Sequence, residues 1–205
     1  MQNFQDVQRA ATALRDAIQA AQGPLALPLG ARRLDPKAAP DADAPVGIVL
    51  GTGLSALADK LQDRVVVPYT DLPSFPASSV EGHAGAFVWG RFAGACGEDG
   101  SIGRYALIQQ GRCHLYEGRT PAEVCMGVRV MALMGVKTLV ITNAAGGLNP
   151  QFDAGGIMCM SDIINNTGHS PLTGINVEEW GPRFPGMCAP LGAGLRAMAM
   201  ETAAK

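Results

Sequence analysis

Charge is scarce in this chain. Of 205 residues only 17% are Asp, Glu, Lys or Arg, against about a quarter in an ordinary soluble domain. The net charge of −2 comes with no basic block or basic-aromatic face, which argues against a nucleic-acid polymer as partner and leaves a small anion open. The five cysteines, Cys96, Cys113, Cys125, Cys159 and Cys188, are odd in number and widely spaced, with no C-x-x-C. That pattern gives neither a disulfide framework nor a zinc site, so reduced thiols, no metal and a cytoplasmic location are the expectation. No stretch approaches the roughly 18 apolar residues that span a bilayer, and the first residues lack the basic and apolar regions of a secretory leader, so no membrane association is expected. The chain has no Walker lysine, no full G-x-G-x-x-G and no G-x-S-x-G, which argues against P-loop, dinucleotide and serine-hydrolase chemistry.

What is plentiful is apolar surface and glycine. Hydrophobic residues make up 47% and there are 26 glycines, roughly twice the usual share, clustered beside apolar runs. A buried sheet, a subunit interface or both would use them. Phe4, Val7, Ala11, Leu14 and Ile18 recur at helical spacing, predicting an amphipathic helix over 3–21 ended by Gly23. Five prolines between 24 and 45 predict a tether. The expected organisation is therefore a helix and tether over 1–45 and a single domain over 46–205.

That domain opens on the apolar run 46–50, a short buried strand, then Gly51-Thr52-Gly53 and a helical stretch over about 55–61. Such a turn can hold a phosphate on its amide groups or serve only close packing; by itself it does not choose. Further strands are expected at 65–67, at 87–89 before a hairpin connection over 94–103, and, buried, across 156–165. A last helix is expected over 191–204.

The organising stretch is 107–147. An apolar run leads into a polar loop with Arg112, His114, Tyr116 and Glu117, and a helix returns the chain to a second apolar run ending in Asn143-Ala144-Ala-Gly-Gly147. Thr120, Pro121 and Glu123 form a capping-box start, and Gly135 ends the helix. A βαβ crossover makes its strands parallel and brings both polar loops to one edge. Thr52, His83, Arg112, His114, Tyr116, Glu117 and Asn143 would then share a crevice suited to an oxyanion. Structural readings stand beside this one. Arg112 could pair with Glu117, Tyr116 could be a packed aromatic, Asn143 a turn residue, and His83 a satisfied donor. Met126, Met131, Met134, Met158 and Met160 read as core.

The segments GIVLGTGL, FPASSVEGHAG, QGRCHLYEG, LVITNAAGGLNP, GHSPLTG and WGPRFPGM, in this order from about residue 46 onward, resemble the trimeric purine nucleoside phosphorylase family. The resemblance implies an α/β fold with a central mixed, largely parallel β-sheet flanked by helices, incomplete at the C-terminus. It implies reversible phosphorolysis of purine nucleosides to free base and ribose 1-phosphate by a homotrimer. No cofactor is implied, inorganic phosphate being a co-substrate. Thr52, standing where the family usually has Ser, would contact phosphate together with His83, Arg112, His114 and the Ala144 backbone. Tyr116 and Asn143 would bind the nucleoside and its ribose, His114 and Glu117 would be catalytic, and Glu117 would support the nearby hydrogen-bond network. His169 falls near a position from which a neighbouring subunit can cover the ribose. Asp162-Ile-Ile-Asn165 stands where the family commonly has D-H-I-N. The family continues into a segment that supplies a base-recognising Glu and Asn and a second phosphate-contacting Ser, none with a counterpart here. The alternative is a non-catalytic phosphate- or sugar-binding module or assembly subunit.

Overall fold

The computed structural model describes residues 4–23, 44–76, 85–93 and 103–205. They fall into two compact units, Met1–Ala144 and Ala145–Lys205.

The first unit is built on one open five-stranded sheet. Its strands are β1 (Val46–Leu50), β2 (Leu61–Pro68), β3 (Ala86–Phe92), β4 (Tyr105–Gln110) and β5 (Thr138–Ile141), in the order β2-β3-β4-β1-β5. β1 lies between β4 and β5 and runs parallel to both. β3 pairs antiparallel with β2 and with β4. The sheet is thus mixed, as expected. The predicted crossover joins β4 to β5 with β1 inserted between them. All three parallel strands therefore end on one edge. β3 runs the other way, and Ala86 at its start pairs with Gln110 at the end of β4, so the chain enters β3 at that same edge.

Alternation assigns the two faces. Ile48, Leu50, Val88, Ala106 and Ile108 pack with Ala58 and Leu61 in one buried cluster. On the opposite face lie two helices, α1 (Phe4–Gln22) and α3 (Met126–Leu133), which pack on each other, α1 also reaching β2. Val7, Ala11, Leu14 and Ile18 of α1 are buried, as their spacing predicts, and Gly23 closes the helix at φ +84°. Two positions show how closely this face is packed. A Cβ on Gly47 would lie 2.7 Å from Val136 Cγ1, and one on Gly127 would lie 2.3 Å from the buried Gln109 amide. Met126, Met131 and Met134 are fully buried there. The 24–43 tether and the 94–102 connection lie outside the described residues.

The crossover helix starts as α2 (Pro121–Val124) and, after a distorted turn at Cys125, continues as α3. The Thr120 hydroxyl accepts from the Glu123 amide at 3.3 Å, and the Glu123 carboxylate accepts from the Thr120 amide at 2.8 Å. This is the predicted capping box. At the other end Gly135, at φ +87°, donates to Ala132 O and Val136 donates to Met131 O, both at 3.1 Å, the paired bonds of a Schellman stop. The expected helix after Gly53 is a 3-10 helix, Ser55–Lys60, because β2 takes over at Leu61.

The second unit holds a short 3-10 turn, Glu178–Trp180, and a helix, α4 (Ala193–Ala203), close to the predicted one. Arg183 Nη1 donates to Leu172 O and Gly174 O, each at 2.7 Å, tying the loop there. The buried strand expected within 156–165 does not form. Ile157, Met158, Ile163 and Ile164 are exposed, so Met158 is not core. A strand is held by hydrogen bonds to a neighbouring strand, and the described residues of this unit contain none. No helix among the described residues is long and apolar enough to cross a membrane.

Candidate functional site

At the end of β1, Gly51 has no room for a side chain. A Cβ would lie 2.8 Å from Asn143 Cα and from Thr142 O, so two backbones touch where β1 and β5 end. The Gly51 amide donates to Thr142 Oγ1 at 2.8 Å, and that hydroxyl donates to Val49 O at 3.0 Å. The Leu54 amide then closes the turn onto Gly51 O at 3.2 Å, with Gly53 at φ +85°, a conformation that favours glycine.

β4 contributes the fixed cation. Gly111 turns the chain at φ +83°, and its carbonyl accepts from the buried Tyr69 hydroxyl at 2.5 Å. Tyr69 packs against Phe75 and Phe87, and burial pushes its phenol pKa up, keeping it a neutral donor. Arg112 follows, its Nη1 donating to Thr142 O at 2.7 Å and its Nε to His114 Nε2 at 3.4 Å. Cys113 is buried against Pro76 O, and burial raises its thiol pKa, followed by the Glu117 charge, so it is a poor nucleophile.

Glu117 settles between the two expected partners. Its side chain is 3% exposed, and Oε1 lies 2.7 Å from His114 Nδ1 and accepts from the His114 amide at 2.8 Å. The carboxylate therefore serves His114, and the ion pair with Arg112 that the spacing also permits does not form. A carboxylate only accepts, so Nδ1 carries the hydrogen and Nε2 is the acceptor for Arg112. Tyr116 stacks on the His114 ring, centroids 4.7 Å apart at 13°, and is 77% exposed. That excludes the packed-core reading and leaves an aromatic surface at the loop.

The structure thus brings Arg112, His114, Tyr116 and Glu117 into contact, and joins Arg112 and the glycine turn to the end of β5. Thr52 is exposed on that turn. Asn143 and Ala144 are exposed just past Thr142, the Asn143 amide donating to Ala144 O at 3.2 Å. His83 lies outside the described residues. His169 belongs to the second unit, where its carbonyl accepts from Asn165 at 2.9 Å. Among the described residues no cluster of three His, Cys, Asp or Glu side chains is arranged for a metal. Thr142 and Tyr69 were not singled out from sequence. Thr142 hides between an apolar run and a conspicuous Asn-Ala-Ala-Gly-Gly, and Tyr69 stands 42 residues from the carbonyl it holds.

This geometry coincides with a family assignment. The model of the phosphorylase superfamily matches residues 45–205. The chain belongs to that superfamily. It is similar to purine nucleoside phosphorylase 1 of Geobacillus stearothermophilus, with 44% identity over 158 residues, covering 77% of this chain and 54% of that protein. A solved purine nucleoside phosphorylase of Schistosoma mansoni in complex with inosine superposes with a TM-score of 0.75 at 32% identity, covering 98% of this chain and 60% of that one. Isoform 2 from the same organism, in complex with cytosine and ribose-1-phosphate, gives 0.76 at 30% identity, covering 98% and 61%. The chain spans about half the length of the curated relatives it matches. The superfamily match takes in every strand of the sheet, while α1 precedes it.

Proposed function

We propose that this chain carries the phosphate- and ribose-gripping part of a purine nucleoside phosphorylase, which converts a purine nucleoside and inorganic phosphate reversibly into the free base and ribose 1-phosphate. One observation carries the reading beyond the likeness to named relatives. The glycine turn after β1, Arg112 after β4 and residues 142–144 after β5 converge on one sheet edge and are bonded to one another.

In this reading a phosphate oxygen bonds to the anomeric carbon as the carbon–nitrogen bond to the base breaks, the bonding pair leaving with the purine. Positive charge grows on the sugar and negative charge on the base. A phosphate dianion held beneath the sugar stabilises the former while acting as nucleophile, so the protein's task is to hold and orient that anion. Arg112 supplies the fixed charge, and His114, accepting from Arg112 through Nε2 and facing Glu117 through Nδ1, holds that guanidinium in place. Thr52, His83 and the Ala144 backbone supply the remaining phosphate contacts. Tyr116 and Asn143 face the ribose, and Glu117 orients His114. Inorganic phosphate is a co-substrate and no further cofactor is required. The working assembly is a cytoplasmic homotrimer.

The test is phosphate-dependent release of hypoxanthine from inosine. A folded enzyme of this lineage that releases none would overturn the proposal. The other reading, a non-catalytic phosphate- or sugar-binding module, is motivated by a described site whose assigned contacts all fall on the anion and sugar. Calorimetry separates them: phosphate binding with no inosine binding and no turnover favours the module.

A further inference from the structure

We infer that Thr142 is the positioning residue of the anion pocket, its hydroxyl setting the Gly51 turn and its carbonyl setting the Arg112 guanidinium. The inference rests on the reading of this edge as a phosphate site. It assigns a role to a residue that stands within one of the resembling segments but receives no role from the resemblance.

Thr142 touches all three converging strand ends. Its amide donates to Val49 O at 3.0 Å, prolonging the β1–β5 ladder by one residue. Its hydroxyl donates to the same carbonyl, which fixes the hydroxyl hydrogen and turns a lone pair toward the Gly51 amide at 2.8 Å. Gly51 is buried, so that amide has no ready substitute partner in water. From the other side the Thr142 carbonyl accepts Arg112 Nη1 at 2.7 Å. With Nε directed to His114, Arg112 is held at two points, while Nη2 has no partner among the described residues. A planar guanidinium fixed this way presents its remaining N–H groups to an anion in a set orientation. One residue thereby keeps the turn and the cation in register, although neither Thr52 nor Arg112 is its neighbour in sequence.

The role is carried by the hydroxyl and the backbone, so the substitutions discriminate. Thr142→Val keeps the shape and removes the hydroxyl; Thr142→Ser keeps the hydroxyl and removes the methyl. Thr138→Val makes the same chemical change at the far end of β5, away from the pocket. Inorganic phosphate is titrated into each 205-residue chain by calorimetry, with folding checked by circular dichroism. The hydroxyl loss in Thr142→Val is expected to weaken phosphate binding about tenfold or more, with Thr142→Ser restoring it to within about twofold. Thr138→Val leaves it unchanged. A folded Thr142→Val that binds phosphate as the parent does overturns the inference, as does a Thr138→Val that loses as much. If Thr142→Val does not fold, Thr142→Ser decides: retained affinity supports the inference and a loss of about tenfold overturns it. A parent chain that binds no phosphate overturns the pocket reading itself and this inference with it. That outcome is distinct from a binding parent with an insensitive variant.

Discussion

The Arg112 guanidinium donates to the Thr142 carbonyl at 2.7 Å, across 30 residues of chain and from the end of one parallel strand to the end of another. This bond converts two loops that are separate in sequence into one polar edge. It also defines what a substitution at either residue should do.

Arg112→Ala removes the fixed cation and both of its anchoring bonds. Loss of one charged hydrogen bond to phosphate costs about 1.5–3 kcal/mol, so phosphate affinity should fall roughly ten- to a hundredfold. Arg112→Lys should not restore it, because an ammonium cannot reproduce the planar two-point anchorage. Phosphate titration of the three chains checks this; unchanged phosphate dependence in Arg112→Ala removes the pocket assignment.

Gly51→Ala should be disruptive although Gly51 does not adopt a positive φ. The obstacle is backbone on backbone: the new methyl meets Asn143 Cα and Thr142 O at 2.8 Å, and neither can rotate away. Overpacking of this kind costs about 1–3 kcal/mol. Because the strain falls between β1 and β5, phosphate binding should be lost along with stability. Denaturant unfolding and phosphate titration on the same sample would show both changes or reject the close approach.

Tyr69→Phe keeps the ring packing on Phe75 and Phe87 and deletes the buried hydrogen bond to Gly111 O together with the hydroxyl's hydrogen bond with the Gln109 side chain. Leaving that carbonyl unpaired should cost about 1–3 kcal/mol. The loss should appear as a lower unfolding midpoint in urea with an unchanged slope, the mark of lost stability without a change in the surface exposed. A midpoint equal to that of the parent would show that the carbonyl finds another donor.

Glu123→Ala should cost about 0.5–2 kcal/mol at neutral pH through loss of the capping box. The Thr120 amide, then the Thr120 hydroxyl and Arg119, hold the Glu123 carboxyl below its usual range. A carboxylate with a depressed native pKa stabilises the fold fully above its unfolded value of about 4.3, and the contribution fades as pH falls through the native value. The stability gap between parent and variant should therefore be full at neutral pH and close in acid. Urea unfolding of both chains across that range tests the sign; a gap that widens in acid contradicts it.

Much of the fold was legible because its signals are local. The α1 stripe, the capping box at Thr120, the Gly135 stop and the apolar runs of β1, β3 and β4 depend on near neighbours, and each formed as read. The run at 156–165 misled for the complementary reason. Apolar residues there suit a strand, but strand formation also needs a partner, and Ile157 and Ile164 stand in solvent instead. Of the candidate site, Arg112, His114, Glu117 and Tyr116 were legible as a cluster because they share one short loop. Their division of labour was not, since an Arg112–Glu117 pair and a His114–Glu117 pair are equally permitted by that spacing.

The sequence by itself determined the elements of the first unit's crossover, their direction through it, and the polar residue types delivered to the strand ends, because periodicity, capping and turn chemistry act over a few residues. Only the tertiary structure decided that β1 inserts between β4 and β5. That insertion makes Gly51 meet residues 142–143 and carries Arg112 to Thr142, while the placing of β3 between β2 and β4 brings Tyr69 to Gly111. Such contacts depend on which strands become neighbours, a choice made by burying both faces of the sheet at once and written in no single stretch of the chain.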